Sequence, residues 1–385
     1  MKISRPDKFP LTVIVKPTKR CNLSCKYCYE DTSRDNKSMD NSTLEKVIFE
    51  VLAYNDQAFG NGKFVQETEF IWHGGEPLLM GKDFFQKIKS LQQEYLSGRT
   101  DHKVKNGVQS NLTLLTPELW TFLRDEDFVV GSSLDGSKEI HDRCRVYQNG
   151  EGSYKAVIEA IDYTRPTSRS FSPIGVLVVL TKDKLDQISE LYHFFKQQRI
   201  NFDFGQLSVA GKAEENRSSL EVSAEEWGKA IIELFDLWFY DTTEPSLYIS
   251  ELVKSAAGVL SGSISSCMFS GNCRQSYISI NPNGEVYPCG RFGAEETFKL
   301  GNINAQSLAE IMQSPTQNYL LSRDIRTIED CNGCEYKSLC NGGCFYNAYL
   351  ATGDIFQKDP LCEGYKMVYK HISKRLQEQL TQLLI

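Results

Sequence analysis

Eleven of the twelve cysteines in this 385-residue chain fall into two groups with metal-ligand spacing, so the chain has to fold around whatever those thiols hold. Cys21, Cys25 and Cys28, in the run CNLSCKYC, have the spacing C-x3-C-x2-C. Four thiolates saturate the irons of a 4Fe-4S cluster, so three leave one iron open. Eight more lie between Cys267 and Cys362. They run Cys267-x5-Cys273-x15-Cys289 and then, about forty residues on, Cys331-x2-Cys334-x5-Cys340-x3-Cys344-x17-Cys362. Eight thiols fill two complete four-thiolate sites. Zinc accepts such sites too, and C-x2-C-x5-C taken alone favours it. Cys144 stands apart and reads as a small buried thiol.

The remaining composition narrows the class. Net charge is −7 with 24% charged and 41% hydrophobic residues, the profile of a soluble globular protein. With no Lys/Arg stripe, neither a nucleic-acid nor an anionic-membrane partner is expected. No apolar run approaches the ~20 residues that span a bilayer, and the start, MKISRPDKFP, has no apolar signal core. The expected location is the cytoplasm, where thiols stay reduced and cysteines favour metal ligation over disulfides.

Between the cysteine groups, β-rich runs alternate with helical ones, which predicts parallel strands with crossover helices. Strands are expected at Leu11–Lys16 and near Glu69–His73, Val104–Gln109, Phe128–Leu134, Pro173–Leu180 and Asn201–Leu207. Helices are expected over Ser42–Tyr54, Asp83–Leu96, Pro117–Asp125, Tyr154–Tyr163, Leu185–Gln198 and Glu225–Tyr240. The polar stretch Gly211–Glu221 reads as a mobile loop. SYISINPNGEVYPC reads as a hairpin turning at Asn281–Gly284 and delivering Cys289. The glycines of Asn341–Cys344 are expected to turn amide hydrogens toward a cluster.

The CNLSCKYC run resembles the signature of the radical S-adenosylmethionine (SAM) enzymes. That resemblance implies an α/β fold, a partial (β/α)6 TIM-like barrel, with S-adenosylmethionine on the open iron. It implies further contacts with this cofactor. Gly74, Gly75, Glu76 and Pro77 match the family's GGEP motif, placed to receive the methionine amino group. Asn111 of QSN and Ser133 of SLDG match positions at its ribose and carboxylate, and Arg145 of HDRCR matches an arginine that can clamp the carboxylate bidentately. Tyr27 would stack on the adenine. His73 and His141 flank these motifs and read as backbone-bonded rather than catalytic.

The C-terminal segment resembles the SPASM domain of peptide-modifying members of that family. Carried over, one auxiliary 4Fe-4S cluster takes Cys267, Cys273, Cys289 and Cys344, and a second takes Cys331, Cys334, Cys340 and Cys362, making three clusters in all. The expected division is 1–215 for the barrel, 216–265 for a helical bridge and 266–385 for the SPASM domain and a C-terminal helix. Two peptide substrates follow from the resemblance. One is a ribosomally made precursor peptide, crosslinked through a cyclophane carbon-carbon bond or a thioether, which is the leading expectation. The alternative is a sulfatase, whose serine or cysteine is oxidised to formylglycine. There the family places an aspartate after the cysteine matching Cys289, whereas this chain has Gly290. A non-catalytic iron-sulfur or zinc scaffold is the reading from another class. An electron donor such as a flavodoxin or ferredoxin is implied, and no catalytic base is identified.

Overall fold

The computed structural model describes residues 11–30, 37–59, 66–292 and 295–383. The segment MKISRPDKFP therefore lies outside the described residues. Six strands, β1 (Thr12–Val15), β2 (Gln66–Trp72), β3 (His102–Ser110), β4 (Phe128–Ser133), β5 (Gly175–Leu180) and β6 (Phe202–Gln206), alternate with helices as the sequence predicts. The intervening helices are α1 (Asn41–Phe59), α2 (Gly81–Leu96), α3 (Pro117–Asp125), α4 (Lys138–Cys144), α5 (Tyr154–Thr164) and α6 (Ile188–Gln198). The helices of eight residues or more that follow are α7 (Ala224–Phe239), α8 (Ser250–Ser261), α9 (Phe345–Thr352) and α10 (Cys362–Leu383).

Two compact bodies share these elements, one built from 1–22, 30–131 and 272–322, the other from 23–29, 132–271 and 323–385. In the first, β1 pairs in parallel with β2 and β2 with β3, with Val13 opposite Phe70 and Phe70 opposite Asn106. Alternation along the strands sets the two faces. Val13, Val15, Phe70, Trp72 and Val108 are buried under helices, while Ile14, Ile71 and His73 on the opposite face are half-buried. The predicted hairpin forms β7 (Tyr277–Ile280) and β8 (Glu285–Tyr287), and β9 (Gly301–Asn302) pairs with β8. Gly284 makes its turn at φ +83, where a Cβ would strike the side chain of Asn304. Sequence reading did not anticipate that β7 also pairs in parallel with β1, Val13 opposite Ile278, so that the order in this body is β3-β2-β1-β7-β8-β9.

In the second body β5 and β6 pair in parallel, and α7 packs along α10. Those two helices approach closely because both contact points are glycine. A Cβ on Gly364 would overlap the Ala224 carbonyl, and one on Gly228 would lie 3.1 Å from the Gly364 Cα. The contact fixes the start of α10, and with it Cys362. The stretch Gly211–Glu221 corrects its expectation as a mobile loop. It forms two short helical turns, Lys212–Glu215 and Arg217–Leu220, that brace the loop carrying Cys25 and Cys28. The Lys212 amide donates to the Cys28 carbonyl (3.0 Å), and Lys212 Nζ donates to Ser24 Oγ (2.7 Å).

Candidate iron-sulfur and cofactor site

In the first body the turn after β2 is zipped to the residues just before Cys21. The amides of Gly75 and Glu76 donate to the carbonyls of Thr18 (2.9 Å) and Arg20 (2.8 Å). A Cβ at Gly74 or Gly75 would overlap the carbonyls of Thr18, Lys19 or Arg20, so both glycines are required by close backbone approach. Glu76 is fully buried, and its carboxylate accepts from the Leu78 amide (3.0 Å), the Ser110 hydroxyl (2.7 Å) and the Asn111 amide (2.7 Å). Pro77 opens the short turn Pro77–Met80. Glu76 thus pins the end of β3, and Asn111 with it. The Asn111 side chain gives its amide hydrogens to Cys21 Sγ (3.7 Å) and Asn22 Oδ1 (3.0 Å), and its oxygen accepts from Thr113. The side chain of Asn111, the predicted ribose contact, thus reaches Cys21.

The second body holds Cys25, Cys28, Tyr27, Ser133 and Arg145. Tyr27 is only 7% exposed and packs with Cys144 and Leu220, with Cys25, Val179 and Leu207 against them. Its hydroxyl donates to Asp135 Oδ2 (2.8 Å) and accepts from Arg145 Nη1 (2.9 Å), and Lys184 Nζ lies 4.9 Å from its ring centre. Arg145 and Lys184 thus flank the ring expected to stack on adenine. Burial raises its phenol well above the usual range. Asp135 is fully buried too. Burial opposes its ionisation, but Lys184 and Arg145 outweigh that and hold its carboxyl below the usual value. Among the described residues Arg145 Nε has no hydrogen-bond partner; burial opposes the guanidinium's charge, but Cys25, Tyr27 and Asp135 outweigh that and favour it. His141 is pushed down to about 4 by burial and by Arg145; its Nδ1 faces the Asp135 amide (3.3 Å). It stays neutral and backbone-bonded, as read. Cys144 is buried and its thiol raised to about 11. Asp135 and Lys184 were not singled out from sequence, although Asp135 sits inside SLDG. Nothing in the local pattern marks Lys184.

Six of the eight C-terminal thiols, Cys267, Cys331, Cys334, Cys340, Cys344 and Cys362, belong to this second body, and Cys273 and Cys289 belong to the first. Burial raises the thiols of Cys331 and Cys362 and pushes Cys340 up to about 11, and neighbouring thiols of the set, Cys334 among them, add to this. Such a set fits a cationic centre that takes its thiols as thiolates. Among the described residues no three His, Cys, Asp or Glu are drawn together to hold one ion.

The Asn341–Cys344 loop is left-handed at Asn341, Gly342 and Gly343, and Cβ atoms on the two glycines would collide with Ile328 and Asp359. Buried Arg323 donates to the carbonyls of Gly342 and Gln357 (both 3.2 Å) and of Ile355. The Gly342 amide turns to the Cys340 thiol, as the sequence leads one to expect, and the next two amides are engaged elsewhere. Gly343 N–H donates to the Cys340 carbonyl (2.8 Å) and Cys344 N–H to Asp359 Oδ2 (3.0 Å). Cys267 is exposed; Cys273 opens a short helical turn and Cys289 follows β8.

Comparison with known proteins decides the family. The radical SAM superfamily model matches residues 15–195, and the SPASM iron-sulfur cluster-binding domain matches residues 263–335. This chain is a radical SAM enzyme with a C-terminal SPASM domain. The fold is accordingly the partial barrel of that family. A radical SAM enzyme needs a 4Fe-4S cluster and S-adenosylmethionine, and the SPASM domain binds additional iron-sulfur clusters.

Among its relatives, the serine-type anaerobic sulfatase-maturating enzyme of Bacteroides thetaiotaomicron is 29% identical, covering 96% of this chain and 91% of its own. The cysteine-type enzyme of Clostridium perfringens is 27% identical, covering 95% and 97%. The solved structure of native anSMEcpe with bound AdoMet and Cp18Cys peptide superposes with a TM-score of 0.81 at 25% identity, over 97% of this radical SAM enzyme and 99% of that chain. Streptococcus suis SuiB bound to precursor peptide SuiA has a TM-score of 0.66 at 17% identity, over 92% and 76%, a likeness of fold alone. Among the described residues no helix is long and apolar enough to cross a membrane.

Proposed function

We propose that this enzyme oxidises a serine or cysteine side chain of a polypeptide to formylglycine, as an anaerobic sulfatase maturase. The observation that carries this reading is likeness along the whole chain. The serine-type and cysteine-type maturases named above align over 96% and 95% of it, and a maturase structure holding a peptide superposes over 97%. Crosslinking of a precursor peptide, the leading expectation from sequence, is supported by a likeness of fold alone at SuiB, and by one local feature, Gly290.

When bound, the clusters and S-adenosylmethionine supply a 5'-deoxyadenosyl radical and an exit for the second electron of the oxidation. The chain's own residues do the rest. In this reading Cys21, Cys25 and Cys28 hold the radical cluster, with the Asn111 amide on Cys21 and Arg145 beside Cys25 stabilising thiolate charge. Gly74 to Pro77, Ser133 and Arg145 hold S-adenosylmethionine. Cys267, Cys273, Cys289 and Cys344 hold one auxiliary cluster, and Cys331, Cys334, Cys340 and Cys362 the other. The barrel occupies 1–215, the bridge 216–265 and the SPASM domain 266–385.

Gly290 bears on the proton that leaves the substrate. Its carbonyl accepts from buried Lys16 Nζ (2.5 Å), which is paired with Glu30. A Cβ at 290 would lie 3.3 Å from Ile14 Cδ1, so an aspartate there would press on β1. The base is therefore a residue other than 290. Anaerobic co-expression with serine- and cysteine-type sulfatases tests the reading. Gain of sulfatase activity that requires Cys21, Cys25 and Cys28 is expected; two sulfatases left inactive by an enzyme that cleaves S-adenosylmethionine would count against it.

A further inference from the structure

A cavity of about 440 Å³ lies wholly within the second body, and none of the residues assigned above to S-adenosylmethionine lines it. Its walls come from the ends of β5 and β6, the Arg217–Leu220 turn, the start of α7, and α9. Leu207, Val209, Val222, Leu350 and Leu361 line it half-exposed, over buried Trp227. Its volume falls in the range of about 300–1,000 Å³ typical of ligand sites.

The charges at this cavity cancel. Arg217 makes a two-bond pair with Glu221 (2.8 and 2.9 Å), and Lys182 lies 3.8 Å from Glu226. The wall amides are engaged as well: Gln206 Oε1 accepts from Asn347 (2.6 Å), and Gln206 Nε2 donates to Tyr365. What these walls offer a ligand is apolar contact, which selects an uncharged aliphatic or aromatic group.

Its position is the second observation. Leu207 lines the cavity and also packs against the Tyr27, Cys144 and Leu220 group that carries Cys25. On the other side, Asn347 Nδ2 donates to Asp359 Oδ2 (2.9 Å), the atom that accepts the Cys344 amide. The cavity therefore stands one residue from the surroundings of Cys25 and two hydrogen bonds from Cys344.

We propose that this cavity is a specificity subsite that takes the apolar side chain of a substrate residue near the one modified. The inference rests on the peptide-substrate reading above. With about 3.5 Å of chain per residue, a side chain anchored beside Leu207 keeps the neighbouring residues of an extended peptide close to the Cys25 loop.

The test uses reconstituted holoenzyme and two cavity-filling variants of the α9 wall, Leu350→Trp and Ala351→Trp. Saturation-transfer NMR with N-acetyl-phenylalaninamide should show saturable binding to wild type that the variants lose, and N-acetyl-lysinamide should show none. In turnover of a maturase peptide substrate, the variants should raise KM about tenfold or more with kcat kept. Their 5'-deoxyadenosine release without peptide should match wild type. Equal binding of phenylalanine and lysine probes, absence of phenylalanine binding, or phenylalanine binding and KM unchanged in the variants would overturn the proposal. If wild type turns over no such peptide, the function reading fails, and the capped amino acids still decide the subsite.

Discussion

Lys184 Nζ lies 3.1 Å from Asp135 Oδ2 with both side chains excluded from solvent, and the Tyr27 hydroxyl bonds the same oxygen. The pair fixes Tyr27 in the loop between Cys25 and Cys28. Lys184→Met leaves a buried carboxylate with one cation fewer and should cost about 3–5 kcal/mol of unfolding free energy. The double variant with Asp135→Asn should recover part of that loss in urea titrations. Equal stability of Lys184→Met and wild type would show that the pair holds nothing.

His141 gives stability a pH dependence. Its folded value, about 4, lies below the ordinary 6.5, so the unfolded chain binds the proton more tightly. Stability is then full above pH 6.5, falls as pH drops toward 4 and levels below it. The His141 contribution to that fall is on the order of 3 kcal/mol. His141→Gln should flatten the profile in that window, and an unchanged slope would contradict the assignment.

Asn111→Ala removes the amide donor whose Nδ2 lies 3.7 Å from Cys21 Sγ. Hydrogen bonds to cluster sulfurs raise reduction potential, so the first cluster's midpoint should fall in an EPR-monitored titration while iron content holds. A midpoint equal to wild type would place Asn111 outside the cluster's surroundings.

Much of this architecture was legible. β-rich runs between helical stretches located all six strands, and α3 was located to the residue because its Thr116 cap and Pro117 first turn are local. What escaped was charge in the interior. Lys16, Lys184, Arg323, Asp135 and Asp359 are each at most 2% exposed, yet sequence pattern reads such residues as surface. Their partners lie on other elements. For the same reason Gly211–Glu221 read as a loop: its contacts are to the backbone of the cysteine loop, and no periodicity records them. The two-cluster split of the eight C-terminal cysteines came from resemblance.

Asp359 accepts amides from Cys344, Asn347 and Leu361. In Asp359→Asn one oxygen becomes a donor facing a donor, and burying such a mismatch costs about 1–3 kcal/mol. The variant should lose about four irons per chain of the twelve that three 4Fe-4S clusters hold, with the radical cluster's EPR signal kept. Full iron content would contradict a role for Asp359 in holding Cys344.

The central claim is oxidation at the β-carbon of a serine or cysteine, and a deuterium label tests it most directly. Maturase peptides deuterated at that carbon would be incubated with reduced holoenzyme and S-adenosylmethionine, and both products read by mass spectrometry. The account predicts deuterium in 5'-deoxyadenosine together with a hydrazine-reactive aldehyde on the peptide. A peptide lighter by two hydrogens, with no aldehyde and no deuterium transferred, would contradict it and establish crosslinking.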